Sequence, residues 1–188
     1  MRTPTPWRAV TLCALAVLAL TAGCTDEGAD AEASASAFYA TQEAAQEAAA
    51  VQEAEQAVRD YYQVRYQCFA DPPNTDPSCF DAVAVDQQLL DDRAALEWVQ
   101  DIGGRTVGAI EVVGTERVVD VQLLPGTKEI ALSVCIDATG LDTLGSDGTS
   151  IVSDGDALRG RDLYIVRKHV DRWQVAGILD DPEGETCG

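Results

Sequence analysis

The chain has 188 residues, with 13 Lys and Arg against 32 Asp and Glu, and a formal net charge of −19. The length suits one domain and a tail, and 46% hydrophobic residues are enough for a core, so a wholly disordered chain is excluded. The charge argues against a nucleic-acid-binding protein, because phosphate neutralisation needs a basic patch, and a single histidine excludes most histidine-based chemistry.

Residues 1–23 have the pattern of a secretory signal peptide. Two arginines precede an apolar run from Ala9 to Leu20, and small residues lead to Cys24. The segment resembles a bacterial lipoprotein signal, in which the cysteine after the cut is acylated and becomes the new N-terminus, although Thr21 stands where leucine is most usual. The resemblance implies a palmitate-type lipid on Cys24, contact with the lipid bilayer through it, and an exported protein on the outer face of the cell membrane. The alternatives are an ordinary signal peptide and a single transmembrane helix, for which the run is short.

The residues after the signal are predicted to form two segments before the folded domain. Residues 24–37 are small, acidic and without periodicity, which predicts a flexible spacer. Residues 38–50 are rich in Ala, Glu and Gln, which favours a helical extension with a weak apolar stripe. We expect the domain itself to cover residues 51–188.

Two helices are predicted at the start of this domain. In the first, apolar residues recur at three- and four-residue steps up to about Phe69. They are Val51, Ala54, Val58, Tyr61, Tyr62, Tyr66 and Phe69. The second helix is predicted from about Phe80 to Ile102, broken or kinked near Val85, and Gly103 ends it.

Strands are predicted for most of the remaining chain. They cover residues 106–113, 116–124, 128–137, 163–168 and 172–179. The third strand alternates, with Ile130, Leu132, Val134 and Ile136 on one face. The stretch 139–160 is rich in Gly, Asp and Ser, and only Ile151 and Val152 are expected to pair there. Helices followed by hairpin-linked strands predict an α+β fold with a mostly antiparallel sheet.

Four cysteines remain once Cys13 leaves with the signal and Cys24 is acylated. They are Cys68, Cys79, Cys135 and Cys187. An even number in an exported chain predicts two disulfides, for which three connectivities exist. The simplest pairing closes the proline-rich loop between Cys68 and Cys79 and joins the last cysteine to the one in the third strand.

No metal ion or cofactor is predicted. The cysteines lack the Cys-x-x-Cys spacing of a metal site. A calcium site on Asp142, Asp147, Asp154 and Asp156 is the alternative, but their spacing does not match a calcium-binding loop.

The order of these helices and strands, and the pattern of their aromatic residues, resemble the NTF2-like (SnoaL-like) superfamily. The resemblance rests on the long helix with Tyr61 and Tyr62, the shorter helix with Trp98, and the final strands 163–166 and 172–175. It implies a cone in which N-terminal helices pack on a curved, mostly antiparallel sheet and leave a pocket at the open end.

The residues that we place in such a pocket are Tyr62, Arg65, Trp98 and Asp137, which combine aromatic surface with polar groups. Carboxylate chemistry is possible at Asp137, or at Asp91 or Asp92, although these two neighbours point about 100° apart on a helix. His169 falls in a predicted hairpin turn, so it is not expected to act as a general base. No catalytic residue is assigned.

The leading hypothesis for function is a membrane-anchored, non-catalytic binding or assembly module of the cell envelope, with an envelope protein complex as its partner. One alternative is a lipoprotein that binds a small apolar ligand in the cone pocket. The other is an NTF2-like hydrolase or isomerase with carboxylate chemistry, since fold alone does not transfer activity.

Overall fold

The computed structural model describes residues 27–113, 117–124, 126–151, 159–181 and 187. The predicted signal peptide and the lipidation site Cys24 therefore lie outside the described residues. The chain divides into two units, residues 1–40 and residues 41–188. None of the helices in the described part of the chain is both long enough and apolar enough to span a membrane.

In the described part of the chain, two α-helices come first and seven strands follow. Helix α1 is Glu27–Ala70 and helix α2 is Asp86–Asp101, with short 3-10 helices at Pro72–Asn74 and Pro77–Phe80. The strands are β1 (Arg105–Val107), β2 (Glu111–Val112), β3 (Arg117–Leu124), β4 (Thr127–Asp137), β5 (Asp142–Leu144), β6 (Arg159–His169) and β7 (Arg172–Asp180). The first residues of α1 fall in the range predicted as a spacer, and the predicted domain boundaries stay a prediction.

The main sheet has five strands, and its strand pairs are antiparallel. Strands β2, β4, β6 and β7 lie in that order, and β3 also pairs with β4, while β1 and β5 form a separate two-stranded sheet. The helices pack on this curved sheet, so the predicted α+β class and antiparallel sheet are confirmed.

The core lies between the predicted apolar faces of α1 and β4. Ala54, Val58 and Tyr61 of α1 are buried against Ile130 and Leu132 of β4 and their neighbours. The apolar face predicted for this strand is buried at Ile130, Leu132 and Val134, but Ile136 is only half-buried. Ser133 and Cys135 on the other face are buried too, so burial does not alternate along the strand. Burial of apolar surface at about 25 cal/mol per Å² is the main force that holds helix and sheet together.

A polar contact also ties α1 to the β6–β7 hairpin. The indole Nε1 of Trp173 donates to a carboxylate oxygen of Glu53 at 2.8 Å, and Lys168 lies 3.4 Å from the same oxygen. The Lys168 ammonium also lies 5.7 Å from the centre of the Trp173 ring. One glutamate of α1 thus fixes the position of both strands.

The two predicted disulfides are present with the simplest connectivity. Cys68 pairs with Cys79 and Cys135 pairs with Cys187, with Cα–Cα distances of 6.2 and 5.8 Å. Both distances lie in the normal range for disulfides. Disulfides persist in oxidising compartments, so the chain fits an exported environment.

The structure differs from the predicted strands between residues 105 and 144. The predicted strand 106–113 is interrupted at Gly108, which has φ +78° and approaches Gly140 so closely that a Cβ would lie 1.7 Å from the Gly140 carbonyl oxygen. Only glycine fits there. The residues before Gly108 form β1, which pairs with β5, a strand that the polar composition of 139–160 did not reveal.

The second helix begins later than predicted. Helix α2 starts at Asp86, because Val85 is extended and Ala84 forms a parallel bridge with Val175 of β7. The Phe80 end of the predicted helix is a 3-10 helix instead. A backbone contact with the sheet therefore replaces the first helical turns.

Candidate functional site

A buried polar cluster joins α1 to α2. The Tyr61 hydroxyl donates to Asp92 Oδ1 at 3.0 Å and accepts from Gln88 Nε2 at 2.8 Å. The Arg65 Nε donates to the same Asp92 oxygen at 3.1 Å. Asp92 is 2% exposed, so its charge depends on these donors.

The positions of these residues explain why they meet. Tyr61 and Arg65 are four residues apart on α1, and Gln88 and Asp92 are four residues apart on α2, so each pair lies on one helix face. The other Asp92 oxygen, Oδ2, is buried without a hydrogen-bond donor among the described residues. The cluster is a fixed helix contact built on one shared carboxylate oxygen.

Tyr61 and Arg65 each keep one protonation state at neutral pH. Burial raises the pKa of Tyr61 far above its usual value, and the nearby Asp92 raises it further while Arg65 opposes this. Burial lowers the pKa of Arg65, but Tyr61 and Asp92 outweigh that effect, so the net shift is upward. The hydroxyl therefore stays a donor and the guanidinium stays cationic.

A second hydroxyl contact lies beside this cluster. The hydroxyls of Tyr62 on α1 and Tyr164 on β6 form a hydrogen bond. Burial raises the pKa of Tyr62 to about 12, opposed by the hydrogen bond with Tyr164, and burial also raises the pKa of Tyr164. Both residues are buried and neutral, so tyrosine rings fill the space between helix and sheet.

A narrow cleft opens beside Tyr62 and Arg65. Helix α1 contributes Tyr62, Arg65, Tyr66 and Phe69. The facing wall consists of Thr106, Ala109, Ile110 and Leu141. The empty space is about 250 Å³, partly open to solvent, and about 20 Å³ of it takes the centre of a water molecule. The whole cleft therefore has room for about one water molecule, far less than a usual preformed ligand pocket offers.

The structure brings together two of the four residues that the sequence placed in a pocket. Tyr62 and Arg65 line the cleft, whereas Trp98 and Asp137 are not among its lining residues. Trp98 lies on the outer face of α2 and is 53% exposed. Asp137 ends β4, where its carboxylate accepts from the backbone and hydroxyl of Thr139, and these bonds lower its pKa.

Of the two acidic residues considered on the second helix, only one lies in the buried cluster. Asp92 accepts from Arg65, while its neighbour Asp91 is exposed and accepts from Gln87. His169 is the last residue of β6 and is paired in register with Arg172.

Gln88 is the member of the buried cluster to which sequence reasoning gave no role. The spacing of four between Gln88 and Asp92 is a signal that could have placed both on the inner face of α2. No sequence pattern could have paired Tyr62 with Tyr164, because they are 102 residues apart.

No group of three or more His, Cys, Asp or Glu side chains that could hold a metal occurs among the described residues. Of the four aspartates considered for calcium, Asp147 accepts from Thr149 in a turn and Asp142 accepts from Ser150. Asp154 and Asp156 lie outside the described residues.

Comparisons with known proteins show a distant likeness to solved structures. No family model and no curated protein matches the chain. The chain is similar to the intermembrane space region of the chloroplast protein ARC6, with 11% identity and a TM-score of 0.48, over 69% of this chain and 96% of that one. At this level the likeness says nothing about function.

Proposed function

We propose that the protein is a membrane-anchored exported lipoprotein whose folded domain is a non-catalytic binding or assembly module of the cell envelope. The two disulfides support the exported location. The order Arg2, apolar run, small residues and Cys24 supports the lipid anchor. We also propose the NTF2-like cone, supported by two leading helices on a curved antiparallel sheet.

The observation that carries the binding proposal is the outer face of α2. Leu90 and Trp98 are 59% and 53% exposed, and Ala94 between them is exposed too. Steps of four residues place these three on one side of the helix, which is the reverse of the usual pattern for a surface helix. Exposed apolar surface that includes tryptophan is typical of protein contact sites.

The charge around this face defines its partner. Asp91, Glu97 and Asp101 are exposed within one helical turn of the apolar residues. A basic amphipathic helix of another envelope protein complements both the apolar stripe and the acidic rim. A second copy of this chain does not, because its net charge of −19 opposes self-association.

The partner proposal is tested by a photo-crosslinker placed at Ala94 in intact cells. We expect a crosslinked product that is lost in the Leu90→Ser/Trp98→Ser variant and weakened in Glu97→Lys, with a basic segment of the partner at the mapped crosslink. The control is the same crosslinker at Val170, which is 82% exposed in the β6–β7 turn. Equal products from both positions, or a product that the variants do not change, would contradict the proposal.

The lipid anchor is tested separately by Cys24→Ala. We expect this variant to leave the membrane fraction, because one acylated cysteine provides the attachment. Retention equal to that of the unmodified protein would refute the anchor and leave the α2 proposal untouched.

We propose ligand binding in the cleft as a second function. The observation that favours it is one cation, Arg65, in a cleft otherwise lined by apolar and hydroxyl side chains. Native mass spectrometry of the protein from its own membranes should show a small adduct that denaturation removes and that Tyr62→Ala abolishes. A spectrum without any adduct would count against this function and favour the assembly proposal.

A further inference from the structure

The two lysines of the chain are directly opposite each other in the main sheet. Lys128 is on β4 and Lys168 is on β6, and the sequence contains no other lysine. The register of these antiparallel strands pairs Glu129 with Arg167, so the next step along both strands places Lys128 opposite Lys168. Side chains at opposite positions have Cβ atoms about 5 Å apart, and like charges there destabilise a sheet. A bound anion would offset this repulsion.

The two lysines belong to a row of side chains on the face of the sheet that packs against α1. Positions two apart on a strand share a face, and Ile130, two residues after Lys128, is fully buried in the core. Leu123 of β3 is paired with Lys128 on one side of the row. Trp173 of β7 is paired with Lys168 on the other side. The row is therefore apolar at both ends and cationic at its centre.

A cavity lies between this row and α1. Its empty space is about 650 Å³, partly open to solvent, and about 290 Å³ of it takes the centre of a water molecule. The cleft beside Tyr62 offers about 20 Å³ by the same measure, so this cavity, unlike the cleft, has room for a small organic molecule. All four residues of the row line it, and α1 contributes Gln46, Ala49, Ala50 and Glu53.

The charges around the cavity leave one positive charge unbalanced. Lys168 lies 3.4 Å from a carboxylate oxygen of Glu53, which also accepts from the Trp173 indole. No hydrogen bond or ion pair joins the Lys128 ammonium to another described residue. Among the described residues that line the cavity, Glu53 is the one acid against two lysines. In a chain of net charge −19, this is a local site for a single negative charge.

We propose that this cavity binds a phosphate diester with an apolar substituent. A phosphate diester carries one negative charge at neutral pH, which matches the balance of charges. Its oxygens accept from two ammonium groups that act as separate point charges on neighbouring strands, whereas a planar carboxylate is better matched by the fork of an arginine. The apolar part lies against Leu123, Ala49 and Ala50. The inference is independent of the cleft beside Tyr62 and goes beyond both proposed functions.

The test compares dibutyl phosphate with diethyl phosphate, which has the same charge and less apolar surface, and with triethyl phosphate, which has no charge. Ligand-observed NMR titrations of the purified full-length protein, with buffer and detergent alone as the blank, measure the affinities. We expect dibutyl phosphate to bind at least about tenfold more tightly than triethyl phosphate, because hydrogen bonds to a charged group are the stronger ones. Diethyl phosphate should bind roughly fivefold more weakly than dibutyl phosphate, because it buries fewer methylene groups.

Lys128→Gln tests the site itself, because this exposed side chain has no partner among the described residues whose loss would unfold the protein. It should weaken dibutyl phosphate by roughly fivefold and leave triethyl phosphate unchanged. The matched control is Arg105→Gln, which removes one exposed positive charge from β1 outside the cavity and should change neither affinity. Glu53→Gln removes the acid beside Lys168 and should tighten the binding of dibutyl phosphate.

Vesicles distinguish a lipid headgroup from a soluble ester as the source of the phosphate. The Cys24→Ala variant, which lacks the proposed lipid attachment, is floated with phosphatidylcholine vesicles that contain or lack phosphatidylglycerol, a diester with one net charge. Flotation that requires phosphatidylglycerol and that Lys128→Gln abolishes would assign the phosphate to a lipid. Binding of dibutyl phosphate without such flotation would assign it to a soluble ester.

Four results would overturn the proposal. They are the absence of saturable binding of dibutyl phosphate, equal affinities for dibutyl and triethyl phosphate, tighter binding of hexanoate than of dibutyl phosphate, and equal affinities of Lys128→Gln and Arg105→Gln for dibutyl phosphate.

Discussion

Asp92, between α1 and α2, is buried and Asp162 on β6 is half-buried, and opposite kinds of group surround these two carboxylates. Asp92 accepts from the hydroxyl of Tyr61 and from Arg65. Asp162 is directly opposite Asp180 on β7, and burial raises its pKa, with the charges of Asp180 and Asp181 adding to the rise. The same side chain therefore stabilises one contact and destabilises another, and the neighbours decide which.

Asp92→Ala is expected to cause the largest loss of stability. It leaves Arg65 without its partner and Tyr61 without its acceptor, so we expect the free energy of unfolding to fall by about 3–5 kcal/mol. Urea unfolding measures the loss. The control is the adjacent exposed acid, for which Asp91→Ala should cost less than about 0.5 kcal/mol. Similar losses in the two variants would contradict the role of the buried cluster.

Tyr61→Phe tests the same cluster without removing a charge. Gln88 loses its acceptor and Asp92 loses a donor in a buried place, so we expect a loss of about 1–3 kcal/mol in urea unfolding. Tyr66→Phe is the matched control, because Tyr66 lies on the same helix and is 46% exposed. A loss no larger than that of the control would show that the Tyr61 hydroxyl contributes nothing.

A substitution in the β6–β7 hairpin is expected to raise the stability of the protein. Val170 in its turn has φ +57°, a left-handed backbone that β-branched residues disfavour, and its exposed side chain makes little contact to lose. We expect Val170→Gly to raise the free energy of unfolding by about 1 kcal/mol. Val118→Gly, an exposed valine within β3, should have the opposite sign. Destabilisation by both variants would contradict the strain at Val170.

The smallest expected effect is at Asp162. Since like charges face each other across the strands, Asp162→Asn should stabilise the protein at pH 7 by less than about 1 kcal/mol. The pKa of Asp162 is raised in the folded state, so its cost is present above that pKa and disappears as pH falls through it. The advantage of the variant in urea unfolding should therefore shrink on acidification, and an advantage that grows on acidification would contradict this.

Local sequence patterns correctly predicted the features that depend on a single short segment of the chain. The alternation of Ile130, Leu132 and Val134 predicted the buried face of β4, and the proline-rich segment between Cys68 and Cys79 predicted a local disulfide. Both features depend on spacing within one short segment, and spacing is what a sequence displays.

Features that depend on distant contacts could not be predicted in this way. Strand β5 exists because its backbone pairs with β1, about 35 residues earlier, and Gly108 makes room for that pairing beside Gly140. A composition rich in Gly, Asp and Ser gives no sign of such a partner.

Two of the four residues predicted for the pocket, Tyr62 and Arg65, do line the cleft. Tyr62 and Arg65 were identified because they lie on one face of a clearly periodic helix. Trp98 was expected beside them, but Leu96 and Val99 set the inner face of α2, and a residue two positions from Leu96 points about 200° away. Its exposure follows from the helix period.

The two sulfur bridges divide the chain into segments that respond differently to a broken backbone. One closes residues 68–79 and the other residues 135–187, so the two covalent rings do not overlap. Hydrolysis of one peptide bond inside either ring leaves a single covalent molecule until a reductant is added. Hydrolysis before Cys68, or between residues 79 and 135, yields two pieces held by packing alone. The part of α1 that precedes Cys68 and the stretch that contains α2, β2 and β3 are therefore where one proteolytic cut would separate the domain.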